Sequence, residues 1–115
     1  KTGALIEFSM ISAGIIAQVD DHTRERLRRF GEIIGLAFQV RDDILDEIGD
    51  SATLGKQAGA DRHRQKSTFV SILGLSSAQS RLEQLTTEAI STIEALGSSA
   101  QGLKLLGHYV AGREY

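Results

Sequence analysis

Leu5, Phe8, Ser12, Ile15 and Val19 recur at spacings of three and four, the signature of an amphipathic helix running from near the start of the chain to the Asp20-Asp21 break. A second pattern runs from about Thr23 to Ile48. It opens with the charged residues Arg24, Glu25, Arg26, Arg28 and Arg29, read as a solvated face. It continues into Ile33-Ile34-Gly35-Leu36-Ala37-Phe38-Gln39-Val40, apolar nearly all round and therefore buried. From Gly49 to Ala60 periodicity fades while Gly49, Gly55 and Gly59 recur, which predicts a loop. Few large apolar side chains there offset the cost of fixing the backbone, so the loop is expected to be mobile until a ligand orders it. Helical pattern resumes around Asp61 and continues through Phe69, Ile72 and Leu73 to Gly74. Ser76-Ser77-Ala78-Gln79 then fits a capping box, in which serine and glutamine side chains satisfy free N–H groups at a helix start. Leu82, Leu85, Ala89, Ile93 and Leu96 make the buried stripe of that helix, Gly97 suits its stop, and Leu103, Leu106 and Val110 mark a short last helix.

Composition strengthens the helical reading. The 115 residues contain no Pro, with 41% hydrophobic and only 5% aromatic residues, which favours a nearly all-helical single domain. Thirteen Lys and Arg against fifteen Asp and Glu give a net charge of −2, so the balance points to neither nucleic acid nor a polybasic membrane anchor. The absence of Cys removes disulfides, thiolate metal sites and Cys nucleophiles, and is compatible with a reducing compartment. The charge-free stretch Phe8 to Val19 is twelve residues long, well short of the roughly 20 apolar residues that span a bilayer, so no stable membrane insertion is expected. The chain opens Lys-Thr-Gly, without an initiator or a secretory signal, and reads as a piece of a longer one.

The sharpest chemical feature is Asp42-Asp43-Ile44-Leu45-Asp46, directly after the most apolar segment. On a helix, spacings of three and four bring the three carboxylates near one face, with Gln39 one turn above them. Like charges so placed repel unless something positive binds. A hard cation is the natural compensation, and Mg²⁺ in particular is held by a few carboxylates together with waters and phosphate oxygens. Lys56 in the glycine-bearing loop, Lys66 beyond it and Lys1 at the start could bring ammonium groups to an anion bridged by that metal. His22, His63 and His108 have no mutual spacing suited to a metal site and read as surface residues or helix-end partners.

The run Gly35-Leu36-Ala37-Phe38-Gln39-Val40-Arg41-Asp42-Asp43-Ile44-Leu45-Asp46, with Gly49-Asp50, Thr53-Leu54-Gly55-Lys56, Gly59-Ala60-Asp61 and Lys66-Ser67-Thr68-Phe69 after it, resembles the second aspartate-rich region of the trans-isoprenyl diphosphate synthases. The likeness is greatest to the short-chain bacterial farnesyl type. Lys1-Thr2-Gly3 resembles the Lys-Thr segment at the kinked helix that precedes that region. The resemblance implies an all-α antiparallel helix bundle of the isoprenoid synthase type, with residues 1–115 as the C-terminal part of one such domain. It implies an enzyme that condenses an allylic diphosphate, dimethylallyl or geranyl, with isopentenyl diphosphate, using Mg²⁺ or Mn²⁺, in a cytoplasmic homodimer. Asp42, Asp43 and Asp46 would serve the metal ions, Lys1, Lys56 and Lys66 would contact the allylic diphosphate, and Thr2, Gln39 and Phe38 would stand near the reacting carbons. The Phe38 ring could there stabilise a cation through its negative face.

This sequence departs from the family pattern in two places. Asp61-Arg62-His63-Arg64-Gln65-Lys66 is more basic than the corresponding segment of many relatives, and Arg113 offers one cation near the C-terminus, a candidate for the homoallylic diphosphate, where some relatives offer several. The first aspartate-rich motif and the isopentenyl diphosphate site of the family are absent from these residues, so the chain alone is expected to be inactive. A terpene cyclase shares the fold, but the Ser or Thr and Glu of its second metal motif are replaced here by Asp46 and Asp50. An EF-hand counted from Asp46 fails, since Gly49 falls at its fourth place and Gln57 where the bidentate Glu belongs. The remaining alternative is a non-catalytic helical subunit or scaffold derived from the synthases.

Overall fold

The computed structural model describes residues 2–53 and 69–114. Among them are α1 (Thr2–Ile16), α2 (Asp21–Thr53), the short α3 (Phe69–Leu73), α4 (Leu75–Ile93), a 3₁₀ segment over Glu94–Ala100 and α5 (Gln101–Gly112), with no strand among the described residues. No helix is long and apolar enough to cross a membrane among the described residues.

The joint between α1 and α2 is built from local rules. Gln18, at φ 58, reverses the chain and lets the Val19 N–H reach the Gly14 carbonyl at 3.2 Å, so the last turn of α1 closes on itself. Two residues on, the Thr23 N–H donates to Asp20 Oδ1 at 2.7 Å, and Asp20 caps α2. Hydrogen bonds from Thr23, through its side chain and then its backbone, hold the Asp20 carboxyl below the usual aspartate value. A carboxyl depressed in the folded state contributes stability above its unfolded pKa and loses it as the pH falls through the folded one. The melting temperature should therefore fall on acidification with a contribution from Asp20. In thermal melts between neutral pH and pH 3, Asp20→Asn should flatten that fall while Asp20→Ala lowers stability throughout. An Asp20→Asn profile parallel to wild type would remove the cap from the acid response.

From this joint α2 runs 33 residues and carries the core. Phe30, Ile33, Ile34, Ala37, Val40 and Ile44 are buried along one side, against Ala78, Leu82, Leu85, Ala89 and Ile93 of α4, with Val70, Ala100 and Val110 completing the cluster. Leu82, Leu85, Ala89 and Ile93 of the expected stripe are buried on α4, while Leu96 falls in the 3₁₀ segment and is half-buried. Gly74, at φ 87, and Gly97, at φ 65, break the chain on either side of α4, conformations a β-carbon would strain.

Four local expectations are corrected. Leu5, Phe8 and Ile15 are 65%, 65% and 55% exposed, because α1 approaches α2 through the opposite side, where Gly3, Gly14 and Met10 meet Gly35, Leu27 and Gly31. Gly49 to Thr53 is helical, a continuation of α2 rather than the start of a loop; Leu54 to Ala60 lies outside the described residues, as does the helix expected from Asp61 to Thr68. Ser76 lies inside α4, which starts at Leu75 with Gly74 at the cap position and no side-chain capping bond, so the capping box is not used.

The arginine run, finally, is no simple solvated face. Arg28 bonds Glu25 at 2.7 Å, Glu7 of α1 at 3.3 Å and Glu32 at 3.3 Å. Arg29 reaches Glu88 of α4 at 2.9 Å, and Arg26 donates to the Thr92 carbonyl at 3.3 Å. The run is an inter-helix network that fixes α2 against both of its neighbours. The Arg28 guanidinium beside Glu25 holds that carboxyl below the usual glutamate value.

Candidate active site

The described candidates, Thr2, Phe38, Gln39, Asp42, Asp43 and Asp46, fall on the second half of α2 and the first turn of α1. Gly35 and Gly3 explain how. A β-carbon on Gly35 would stand 2.6 Å from the Gly3 Cα, so the two helices cross here backbone against backbone. That crossing places Thr2 beside Gln39, and both line a groove of about 410 Å³ with Gly3, Glu7, Glu32, Gly35 and Leu36. One turn further along α2, Gln39 Nε2 donates to Asp43 Oδ1 at 3.3 Å. Of the residues lining the groove, Gln39 thus pairs with Asp43, and Glu7 and Glu32 pair with Arg28.

Asp42 and Asp43 meet different partners. Asp42 turns toward the end of the chain, where Arg113 Nη2 lies 3.5 Å from its Oδ1. Asp43 engages Gln39, and Asp46 is exposed one turn on. Among the described residues no three acidic or histidine side chains converge on a point that would hold a metal by themselves. The donor set still fits a hard cation. Asp42 and Asp43 offer half-exposed carboxylate oxygens on adjacent faces of one turn, and Mg²⁺ usually takes only one or two protein carboxylates and completes its octahedron with water and phosphate oxygens.

Phe38 is half-buried against the core, and the Arg113 guanidinium lies 4.2 Å from its ring centroid. His22 and His108 are exposed, as expected. Lys1, Lys56, Lys66 and His63 lie outside the described residues. The contact that sequence reasoning missed is that of Arg113 with Asp42 and Phe38. Seventy-one residues separate Arg113 from Asp42, and no local pattern joins them.

An all-helical bundle in which one long helix presents an aspartate-rich turn beside a polar groove is the arrangement to be matched among solved structures. A crystal structure of a FPP/GFPP synthase from Zymomonas mobilis, in its apo form, superposes with a TM-score of 0.80 over 96% of this chain and 34% of that one, at 34% identity. The family model described as polyprenyl synthetase matches residues 1–101, and the chain belongs to that family. Among curated relatives, a farnesyl diphosphate synthase of Micrococcus luteus is 40% identical over 98% of this chain and 39% of its own length. One from Haemophilus influenzae is 44% identical over 84% of this chain and 33% of its own length, and one from Escherichia coli is 40% identical over 98% and 39%. The chain therefore spans between a third and two-fifths of the relatives it matches.

Proposed function

We propose that residues 1–115 are the C-terminal part of a single isoprenoid synthase domain and form one wall of a prenyltransferase active site. The reaction joins an allylic diphosphate, dimethylallyl or geranyl, to isopentenyl diphosphate. The allylic C–O bond breaks with its electron pair leaving on diphosphate, the isopentenyl double bond attacks the allylic cation, and a proton is lost from the adduct. The observation that carries this reading is the groove shared by Thr2 and Gln39, opening one turn from Asp42–Asp46, in a chain of the polyprenyl synthetase family.

In this reading Asp42, Asp43 and Asp46 hold Mg²⁺, or Mn²⁺, which supplies charge neutralisation for the departing diphosphate. Lys1, Lys56 and Lys66 add ammonium groups to the same anion. Gln39 and Thr2 present polar atoms to the reacting carbons, and the Phe38 ring faces developing positive charge. The working enzyme is a cytoplasmic homodimer.

The test is product formation by the purified full-length protein from geranyl diphosphate and radiolabelled isopentenyl diphosphate, with Mg²⁺ and with chelator. Metal-dependent farnesyl product is expected from the full-length protein and none from the 115-residue chain. A folded full-length protein that binds these diphosphates without turning them over would sink the reading in favour of a non-catalytic subunit.

A further inference from the structure

We propose that Arg113 is a built-in counter-charge for Asp42 that keeps metal affinity low until an anionic diphosphate arrives. This rests on the reading of Asp42 as a metal ligand. Arg113 follows the end of α5, with φ −60 and ψ 149, and its extended backbone carries the chain back across α2. Contacts with Asp42 and Phe38 help to fix it there. Its Nη2 lies 3.5 Å from Asp42 Oδ1 and 3.4 Å from the Phe38 carbonyl, and its guanidinium stands 4.2 Å from the Phe38 ring centroid. Its own carbonyl accepts a hydrogen bond from Arg41 Nε at 2.8 Å, which ties the segment to α2 from the other side. The side chain is only 10% exposed.

An arginine held by ring, carbonyl and backbone stays where it is when a cation approaches. It therefore opposes any metal ion that Asp42 takes up, and it does so in surroundings less polar than water, where the charges are felt more strongly. A metal ion arriving with a diphosphate meets the opposite situation, because the anion is attracted to the same guanidinium. Metal and substrate then bind as a pair, and the carboxylates alone hold metal weakly.

The experiment measures Mn²⁺ binding to the full-length protein by electron paramagnetic resonance, with and without inorganic diphosphate, in wild type, Arg113→Met, Arg113→Lys, Asp42→Ala and the Asp42→Ala/Arg113→Met double variant. Without diphosphate, Arg113→Met should bind Mn²⁺ at least about fivefold more tightly than wild type, the floor set by two unit charges about 4 Å apart in bulk water. Arg113→Lys should stay close to wild type, and the gain from Arg113→Met should vanish in the Asp42→Ala background. With diphosphate present, the tightening that the anion brings should be smaller in Arg113→Met than in wild type. If Arg113→Met does not fold, as judged by circular dichroism, Arg113→Gln replaces it, since its amide can still donate to the Phe38 carbonyl.

Unchanged or weaker Mn²⁺ binding in the folded neutral variant overturns the proposal. A role in folding alone would lower the melting temperature without tightening metal binding. If Asp42→Ala leaves Mn²⁺ binding intact, Asp42 is not the ligand, and the proposal falls together with the reading beneath it.

Discussion

Replacing Asp42 with alanine in the full-length protein is expected to lower turnover by at least about a hundredfold while leaving the fold in place. Bridging metal stabilises the charge that develops on a leaving diphosphate by several kcal/mol, and each 1.36 kcal/mol is about a factor of ten in rate. Stability should respond far less. The Asp42 side chain is 47% exposed and its pairing with Arg113 spans 3.5 Å. A partly solvated pair of that kind contributes no more than about 1 kcal/mol. Steady-state assays, with circular dichroism as the folding control, decide the matter, and turnover within about threefold of wild type would take Asp42 out of the site.

The largest effect on stability is expected at Gly35. In a helix interior, glycine to alanine normally stabilises by up to about 1 kcal/mol, because alanine has less backbone freedom to lose. At Gly35 the new methyl would stand 2.6 Å from the Gly3 Cα and 3.3 Å from the Gly3 carbonyl oxygen, well inside the contact distance, and both atoms are backbone that cannot rotate away. Overpacking of this kind costs about 1–3 kcal/mol, so it outweighs the propensity gain. Gly49, on the same helix with nothing within 4 Å of its would-be β-carbon, supplies the internal control. In urea denaturation, Gly35→Ala should lower the midpoint and Gly49→Ala should raise it. Equal midpoints for the two variants would mean that α1 and α2 do not meet at Gly3 and Gly35.

Elements with one dominant period were legible in the sequence. The stripe of α4 and the buried run of α2 follow directly from their apolar spacing, and Gly74 and Gly97 sit where the backbone takes positive φ. α1 was harder because it is apolar on several sides. The large side chains Leu5, Phe8 and Ile15 suggest a core face, but the face used against α2 is the one small enough for backbones to touch, and volume rather than hydropathy selects it. Ser76 shows a different limit. A capping box and a helix interior are both open to Ser-Ser-Ala-Gln, and Gly74 ends α3 in a conformation that lets α4 begin a residue earlier. At the site, Asp42, Asp43, Asp46, Gln39 and Phe38 stand out in one run of the sequence. How Asp42 is turned does not, because it depends on Arg113, which the fold brings back from the far end of the chain.

The length of α2 has a mechanical consequence. The arginine network holds the N-terminal half of the helix, which crosses α1 at Gly35, and its aspartates lie beyond that crossing. Asp46 is eleven residues past Gly35, about 16 Å at 1.5 Å per residue. A tilt of only about 2° about that point would carry the carboxylate roughly 0.6 Å, comparable with the roughly 0.5 Å tolerance that productive catalytic geometry allows. On the proposed reading, small repacking under the first half of α2 would therefore register as a change in reaction rate before it registered as a loss of fold.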